Sequence, residues 1–175
     1  MTENLYTEKC IRTASGQYVN VFEPDPDTIL IEDIAHALAR LPRFGGHLPV
    51  DYSVARHSIA CCEAAGIWNL ELLMHDASEG LLVDLPRPIK QEIAQYKVIE
   101  DGLTKVLAAK FGFQYPYPAI VHTIDDIQLR WEWNHVFLKK HSWFAKLRFL
   151  WQHQFQKRKF LKMYYNLTEQ RERRK

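Results

Sequence analysis

Apolar residues recur at helical spacing through most of this chain. Ile31, Ile34, Ala35, Leu38 and Leu41 predict a helix that Asp27 or Thr28 can cap and that Pro42 and Gly45-Gly46 stop. A second helix is expected from about Tyr52 to Ala65, ended by Gly66. A third begins near Asn69 and carries Leu72, Leu73, His75, Asp76 and Glu79. Pro86 and Pro88 mark a loop. Ile93, Tyr96, Ile99, Leu103, Val106 and Leu107 predict a long helix to about Phe111, and Gly112 with the Tyr115-Pro116-Tyr117-Pro118 stretch breaks it. Ile120, Ile124, Ile127 and Trp131 predict another, reaching toward Leu138. Only near the start does the pattern change. Residues 11–14 and 17–21 are β-prone runs around Ser15-Gly16, which reads as a short hairpin ended by Pro24 and Pro26. The expected fold is mostly α, a single helical bundle over residues 1–175. It has an N-terminal hairpin in 1–26, a helical core in 27–138, and a basic, aromatic helix and tail in 139–175.

Composition fits that reading. At 47% hydrophobic and 25% charged residues, the 175-residue chain can bury a core, which excludes a disordered protein. No window approaches the roughly 20 apolar residues of a membrane helix, so no membrane partner is expected. Met1-Thr2-Glu3-Asn4 does not begin a basic-then-apolar leader. Cys10, Cys61 and Cys62 are an odd count without zinc-site spacing, which fits a reducing, cytoplasmic setting. The net charge of +2 conceals an asymmetry. Residues 139–175 hold 12 Lys/Arg against 2 Asp/Glu, and the remainder holds 11 against 19, so an acidic body of −8 precedes a basic end of +10.

Chemistry concentrates in a few polar residues inside apolar runs. His75-Asp76 follows Leu72, Leu73 and Met74, where an ionised carboxylate needs compensation. A divalent cation would supply it, and so would a hydrogen-bonded pair at a helix face. Glu79 can share the same helix side. His57 lies on a stripe with Val54, Cys61 and Ala65 and therefore faces inward, as a ligand or as a satisfied core residue. Of Asp125 and Asp126, only one can turn to a common site. Two His and two Asp from three helices would suit Mn, Fe, Co, Ni or Zn. Asp84 is a proton-handling carboxylate or a turn residue before Pro86. Arg43 and Arg87 are candidate anion binders or ordinary surface residues.

The order His57, His75-Asp76, Asp125 resembles the H…HD…D signature of HD-domain metal-dependent phosphohydrolases. The segment His75-Asp76-Ala77-Ser78-Glu79-Gly80-Leu81-Leu82-Val83-Asp84-Leu85-Pro86-Arg87-Pro88-Ile89-Lys90 is similar to the HDASE…DLPxPxK segment of bacterial 5′-deoxynucleotidases. Arg43-Phe44-Gly45-Gly46-His47 and Tyr52-Ser53-Val54-Ala55-Arg56-His57-Ser58 look like the compact HD hydrolases of phages and prophages. Val121-His122-Thr123-Ile124-Asp125 lines up with that family's VKxAD and selects Asp125 over Asp126. The resemblance implies one divalent ion (Mn, Co, Fe, Ni, Zn or Mg) on His57, His75, Asp76 and Asp125. It gives Glu79 and Asp84 catalytic roles beside the water or the leaving group. Arg43 would meet the 5′-phosphate, Phe44 would stand where the deoxynucleotidases carry Trp against the sugar, and Arg87 would border the substrate. The interval between the first His and the HD pair is shorter than in those enzymes.

The implied reaction is hydrolysis of a deoxyribonucleoside 5′-monophosphate to nucleoside and phosphate. The alternatives are a triphosphohydrolase, an HD nuclease or cyclic-nucleotide phosphodiesterase, and a nucleic-acid-binding module with a vestigial metal site. A homo-oligomer is expected by analogy. The basic end lies outside the resemblance. Trp143, Phe144, Leu147, Leu150, Trp151 and Phe155 alternate with Lys146, Arg148, Lys157, Arg158 and Lys159. That pattern suits a core-facing stripe, a nucleic-acid surface or a subunit interface. Residues 170–175 read as a frayed, solvated end.

Overall fold

Strands β1 (Cys10–Arg12) and β2 (Tyr18–Asn20) pair antiparallel, with Ile11 opposite Val19, in a computed structural model that describes residues 9–66, 69–140 and 152–173. Gly16 takes φ +93° in the turn between them, a conformation that favours glycine. Buried Asp33 accepts hydrogen bonds from the Ser15 backbone N–H (2.8 Å) and hydroxyl (2.6 Å), which ties the hairpin to the first helix. The rest is helical: α1 (Ile31–Leu38), α2 (Val54–Ala64), α3 (Leu70–Met74), α4 (Arg87–Glu92), α5 (Ala94–Phe111), α6 (Ala119–Glu132) and α7 (Gln152–Glu172). This is a mostly α fold with one short hairpin.

The core is continuous from the hairpin to α7. Ile34, Leu38, Ile59, Leu72, Leu73, Met74, Leu103 and Leu107 are essentially inaccessible, and so are Phe160 and Met163 of α7. At roughly 1.5–3 kcal/mol for each large apolar side chain fully buried, this cluster dominates the folding free energy. The basic end is therefore part of the body over its described length, packed on α1, α2 and α3. Its cations meet the body's acids: Lys159 pairs with Glu63 and Arg171 with Glu71 (2.5 Å), while the Tyr165 hydroxyl donates to Glu32. Trp143, Phe144, Lys146, Leu147, Arg148, Leu150 and Trp151 lie outside the described residues, as do residues 174–175.

Local signals account for several boundaries. Ser53 caps α2 by accepting from the Arg56 N–H, and Asn69 caps α3 by accepting from the Leu72 N–H. Pro88 sits in the first turn of α4, where its missing N–H costs nothing, so a helix starts where the prolines alone predict a loop. Asp25, not Asp27 or Thr28, makes a side-chain cap here, on a short 3₁₀ turn before α1 (Pro26–Thr28).

Two elements depart from the expected pattern. The third helix stops at Met74, and Ala77–Gly80 form a separate 3₁₀ turn instead of carrying the helix on to Glu79. Gly80 lets this turn press on α1, since a Cβ there would stand 3.3 Å from the Ile34 carbonyl oxygen. On α6 the buried face is Val121, Ile124, Gln128 and Glu132, while Ile120, Ile127 and Trp131 are exposed. No helix among the described residues is long and apolar enough to cross a membrane.

Candidate metal centre

α2, the α3 terminus and α6 converge on one buried point. His57, mid-way along α2, is fully buried. Its Nδ1 donates to Glu132 Oε1 at 2.6 Å, which leaves Nε2 as a lone pair. His75 follows the last residue of α3, and its Nδ1 donates to the Leu72 carbonyl at 2.8 Å. A carbonyl only accepts, so Nδ1 carries a proton, and in the neutral ring that a metal would require the His75 Nε2 is a lone pair as well. The two Nε2 atoms stand 3.2 Å apart. Asp125 Oδ1 lies 3.0 Å from the first and 3.8 Å from the second. Asp76 Oδ2 lies 3.7 Å and 3.3 Å from the same two atoms and is buried without a hydrogen-bond partner among the described residues.

These spacings suit one ion. Ligands about 2.1 Å from a metal are about 3.0 Å apart across an octahedral edge and about 3.4 Å apart across a tetrahedral one. His57, Cys61, His75 and Asp125 offer donor atoms that all lie within 4.8 Å of one another, and this group could hold a metal ion. Cys61 enters one turn after His57, with Sγ 3.6 Å from His57 Nε2. Burial, then Asp76 and Asp125, push its thiol far above the ordinary range, so without a cation it stays protonated. Asp76 stands outside this group of four, but its oxygen, without a hydrogen-bond partner among the described residues and 3.3 Å from His75 Nε2, is a further donor beside it.

The electrostatics show a demand for positive charge. Burial opposes a charge on His75, but Asp76 and Asp125 outweigh it and raise its pKa well above the usual value. Burial also works against ionising Asp76 and Asp125. For Asp76, His75, His57 and Arg43 overcome it; for Asp125, the adjacent His57 and His75 do. Both carboxyls are held far below the usual carboxylate range.

The remaining expected residues surround this cluster. Arg43 is buried, with Nη1 3.5 Å from Asp76 Oδ2, Nη2 3.2 Å from Glu132 Oε2, and Nε without a partner among the described residues. Phe44 follows in the left-handed region (φ 55°, ψ 35°), at a cost on the order of 1–2 kcal/mol for a residue with a Cβ. Its ring centroid lies 6.2 Å from that of Trp133 and 5.8 Å from that of Phe137, on a single π-helical turn (Trp133–Phe137) that ends α6. Glu79 is buried with Oε2 unpartnered, and burial together with Asp76 and Asp84 pushes its pKa well up. Asp84 is also raised, mainly by burial, with Arg43 opposing. Arg87 is mostly exposed, and its Nη2 stands 3.5 Å from Asp126, whose carboxylate points away from the cluster.

A cavity of about 540 Å³ opens on this arrangement, with Arg43, Phe44, Asp84, Arg87 and Trp133 in its wall and Asp76 and Asp125 at the cluster. A second cavity of about 480 Å³ reaches His75, Asp76 and Asp125, with Lys97, His122 and Tyr117 in its wall. Lys90 borders both, 2.6 Å from Glu100 and 3.8 Å from Glu79. The structure thus brings His57, His75, Asp76, Asp125, Arg43, Phe44, Glu79 and Asp84 together, and leaves Arg87 on the rim.

No family model matches the chain. The chain is 36% identical to the uncharacterized protein YfdR of Escherichia coli (strain K12), across 70% of its own length and 69% of that protein's. It is 39% identical to the uncharacterized protein RCAP_rcc00048 of Rhodobacter capsulatus, across 69% of each chain. The chain belongs to the YfdR family. Two residues at the centre of this YfdR-family protein carry no motif signal of their own. Glu132 is one; its trace in the sequence is register, seven residues after Asp125 and four after Gln128 on one face of α6. Cys61 is the other, and its trace is the four-residue step from His57.

Proposed function

We propose that this chain is an HD-type, metal-dependent nucleotide phosphohydrolase that converts a deoxyribonucleoside 5′-monophosphate to nucleoside and phosphate. One observation carries the reading. Two imidazoles have committed their Nδ1–H groups outward and turn Nε2 lone pairs to a common point 3.2 Å apart, between two carboxylates and beside a buried arginine. Such a set is costly unless a cation fills it.

In this reading His57, His75, Asp76 and Asp125 would hold one divalent ion (Mn, Co, Fe, Ni, Zn or Mg), with Cys61 as a neighbouring soft donor. The ion supplies Lewis acidity, polarising a phosphoryl oxygen and acidifying a water. Arg43 offers its unpartnered Nε to the phosphate and offsets charge as the P–O5′ bond breaks. The nucleoside lies in the aromatic cavity, where Phe44 and Trp133 meet sugar and base and Arg87 closes the rim. Water enters beside Asp76 and Asp125, which line both cavities, and meets Asp84 in the first. Asp84 takes a proton from that water as its oxygen bonds to phosphorus. Glu79, which burial keeps protonated, gives its proton to the departing O5′.

Purified protein, freed of metal and reloaded with each ion in turn, should hydrolyse at least one nucleoside 5′-phosphate. Inorganic phosphate as the product supports the monophosphate reading, and released triphosphate would replace it with a triphosphohydrolase. No hydrolysis of mono-, di- or triphosphates by the metal-loaded protein would sink the proposal.

A further inference from the structure

Glu132 contacts both halves of the candidate site. It is fully buried near the end of α6. Oε1 accepts from His57 Nδ1 at 2.6 Å and from Gln128 Nε2 at 3.3 Å. Oε2 accepts from Arg43 Nη2 at 3.2 Å. Arg43 continues to Asp76 at 3.5 Å, and Asp76 faces His57 at 3.7 Å, so the four side chains close a ring. A carboxylate suits this position because each of its oxygens can accept from a different donor. An amide presents one acceptor and one donor, and its NH₂ would face the guanidinium.

We propose that Glu132 is the positioning residue that builds the metal centre and the anion subsite as one unit: one oxygen turns His57 Nε2 toward the ion, and the other holds the Arg43 guanidinium against the cavity. The inference rests on the metal-dependent reading above and adds to it a residue that touches neither metal nor substrate. Without the charge on Glu132, His57 keeps at most a neutral amide oxygen, a weaker acceptor that fixes its tautomer and ring orientation less firmly. Arg43 is then left with Asp76 as its described carboxylate partner and competes with the ion for Oδ2. Both affinities fall for the same reason.

The test measures binding and needs no turnover. Metal-free protein is titrated with cobalt(II), followed by visible absorption, and inorganic phosphate is then titrated calorimetrically at saturating cobalt. Glu132→Gln should lose about 10–100-fold in cobalt affinity and lose phosphate affinity with it. Glu132→Asp, which restores the charge on a shorter arm, should recover part of both. A purely structural role would lower the melting temperature and leave the cobalt affinity of the folded protein unchanged; that result overturns the proposal. Loss of one affinity without the other also overturns it. Wild-type protein that binds no cobalt overturns the metal reading and this inference together, whereas wild-type binding matched by Glu132→Gln overturns this inference alone. If Glu132→Gln fails to fold, the wild type still decides. Its zinc form should show a slowly exchanging, downfield His57 Nδ1 proton by ¹⁵N-edited NMR, and an absent or fast-exchanging proton refutes the bond.

Discussion

The candidate metal cluster and the seat of α7 each bury a carboxylate, Glu79 in one and Glu71 in the other, and treat it in opposite ways. On the α7 side each acid has a donor. Glu71 accepts from Arg171 at 2.5 Å and from the Gln114 N–H at 2.9 Å, Glu63 meets Arg56 and Lys159, and Glu32 takes the Tyr165 hydroxyl. Around His57, the carboxylates of Asp76, Asp125 and Glu132 crowd onto two imidazoles and Arg43, with Glu79 near Lys90 at their edge. Among the described residues, the buried side-chain atoms without a hydrogen-bond partner, Arg43 Nε, Asp76 Oδ2 and Glu79 Oε2, all lie here. A fold that satisfies the acids of one region and leaves buried polar atoms of the other without hydrogen-bond partners makes the second the candidate ligand site. The α7 seat stabilises the protein; the cluster could hold a metal ion.

The sharpest way to break that contrast is Asp76→Ala. It removes the orphaned oxygen and should abolish tight cobalt binding. Hydrolysis should fall on the order of 10³-fold or more, since the Lewis-acid contribution amounts to several kcal/mol. Retention of both metal and activity would mean that Asp76 belongs with the structural acids.

The reverse substitution is Glu71→Gln. It leaves Arg171 facing an amide and should cost about 1–3 kcal/mol, read as a lower urea midpoint, while cobalt affinity stays at the wild-type value. The pH dependence has a defined sign. Burial raises the Glu71 pKa, but Arg171 and the Gln114 N–H outweigh it and hold the carboxyl below its ordinary value. Its contribution is therefore complete above the unfolded value of about 4.3, and is lost as pH falls through the lower folded one. Lys159→Ala, at a partly exposed pair with Glu63, should cost no more than about 1 kcal/mol.

The two regions were not equally legible in the sequence. His57, His75 and Asp76 stand out as polar residues in apolar runs, and the motif spacing favours Asp125; in the structure Asp126 faces out to Arg87. The hairpin and most helices follow from periodicity and punctuation. The failures lie where the cluster overrides local pattern. Ile120, Ile127 and Trp131 read as the buried stripe of α6, yet that helix turns Gln128 and Glu132 inward to serve His57 and Tyr52. No proline, and no glycine before Gly80, marks the stop of α3 at Met74. The break follows from seating Ala77–Gly80 against α1, a long-range contact that local propensity does not encode. The α7 seat was hidden for a different reason. Arg171 and Glu71 are 100 residues apart, and a basic run does not reveal which acids it will meet.

The subtlest probe of the contrast is Glu79→Gln, whose effect on stability should be the smallest. Burial, reinforced by Asp76 and Asp84, raises the Glu79 pKa in the folded protein, opposite to Glu71. The folded state therefore keeps a proton that the unfolded chain releases above about pH 4.3. In metal-free wild type this side chain costs stability as pH climbs from there toward the folded pKa. Glutamine cannot ionise and nearly matches the protonated acid in shape. The variant should equal wild type within about 0.5 kcal/mol near pH 4 and gain on it as pH rises, while hydrolysis falls for want of the proton donor. Urea unfolding of both proteins in chelator from pH 4 to 8 measures this. A Glu79→Gln protein that loses stability relative to wild type as pH rises, as Glu71→Gln should, would place Glu79 among the satisfied structural acids and remove it from the leaving-group role.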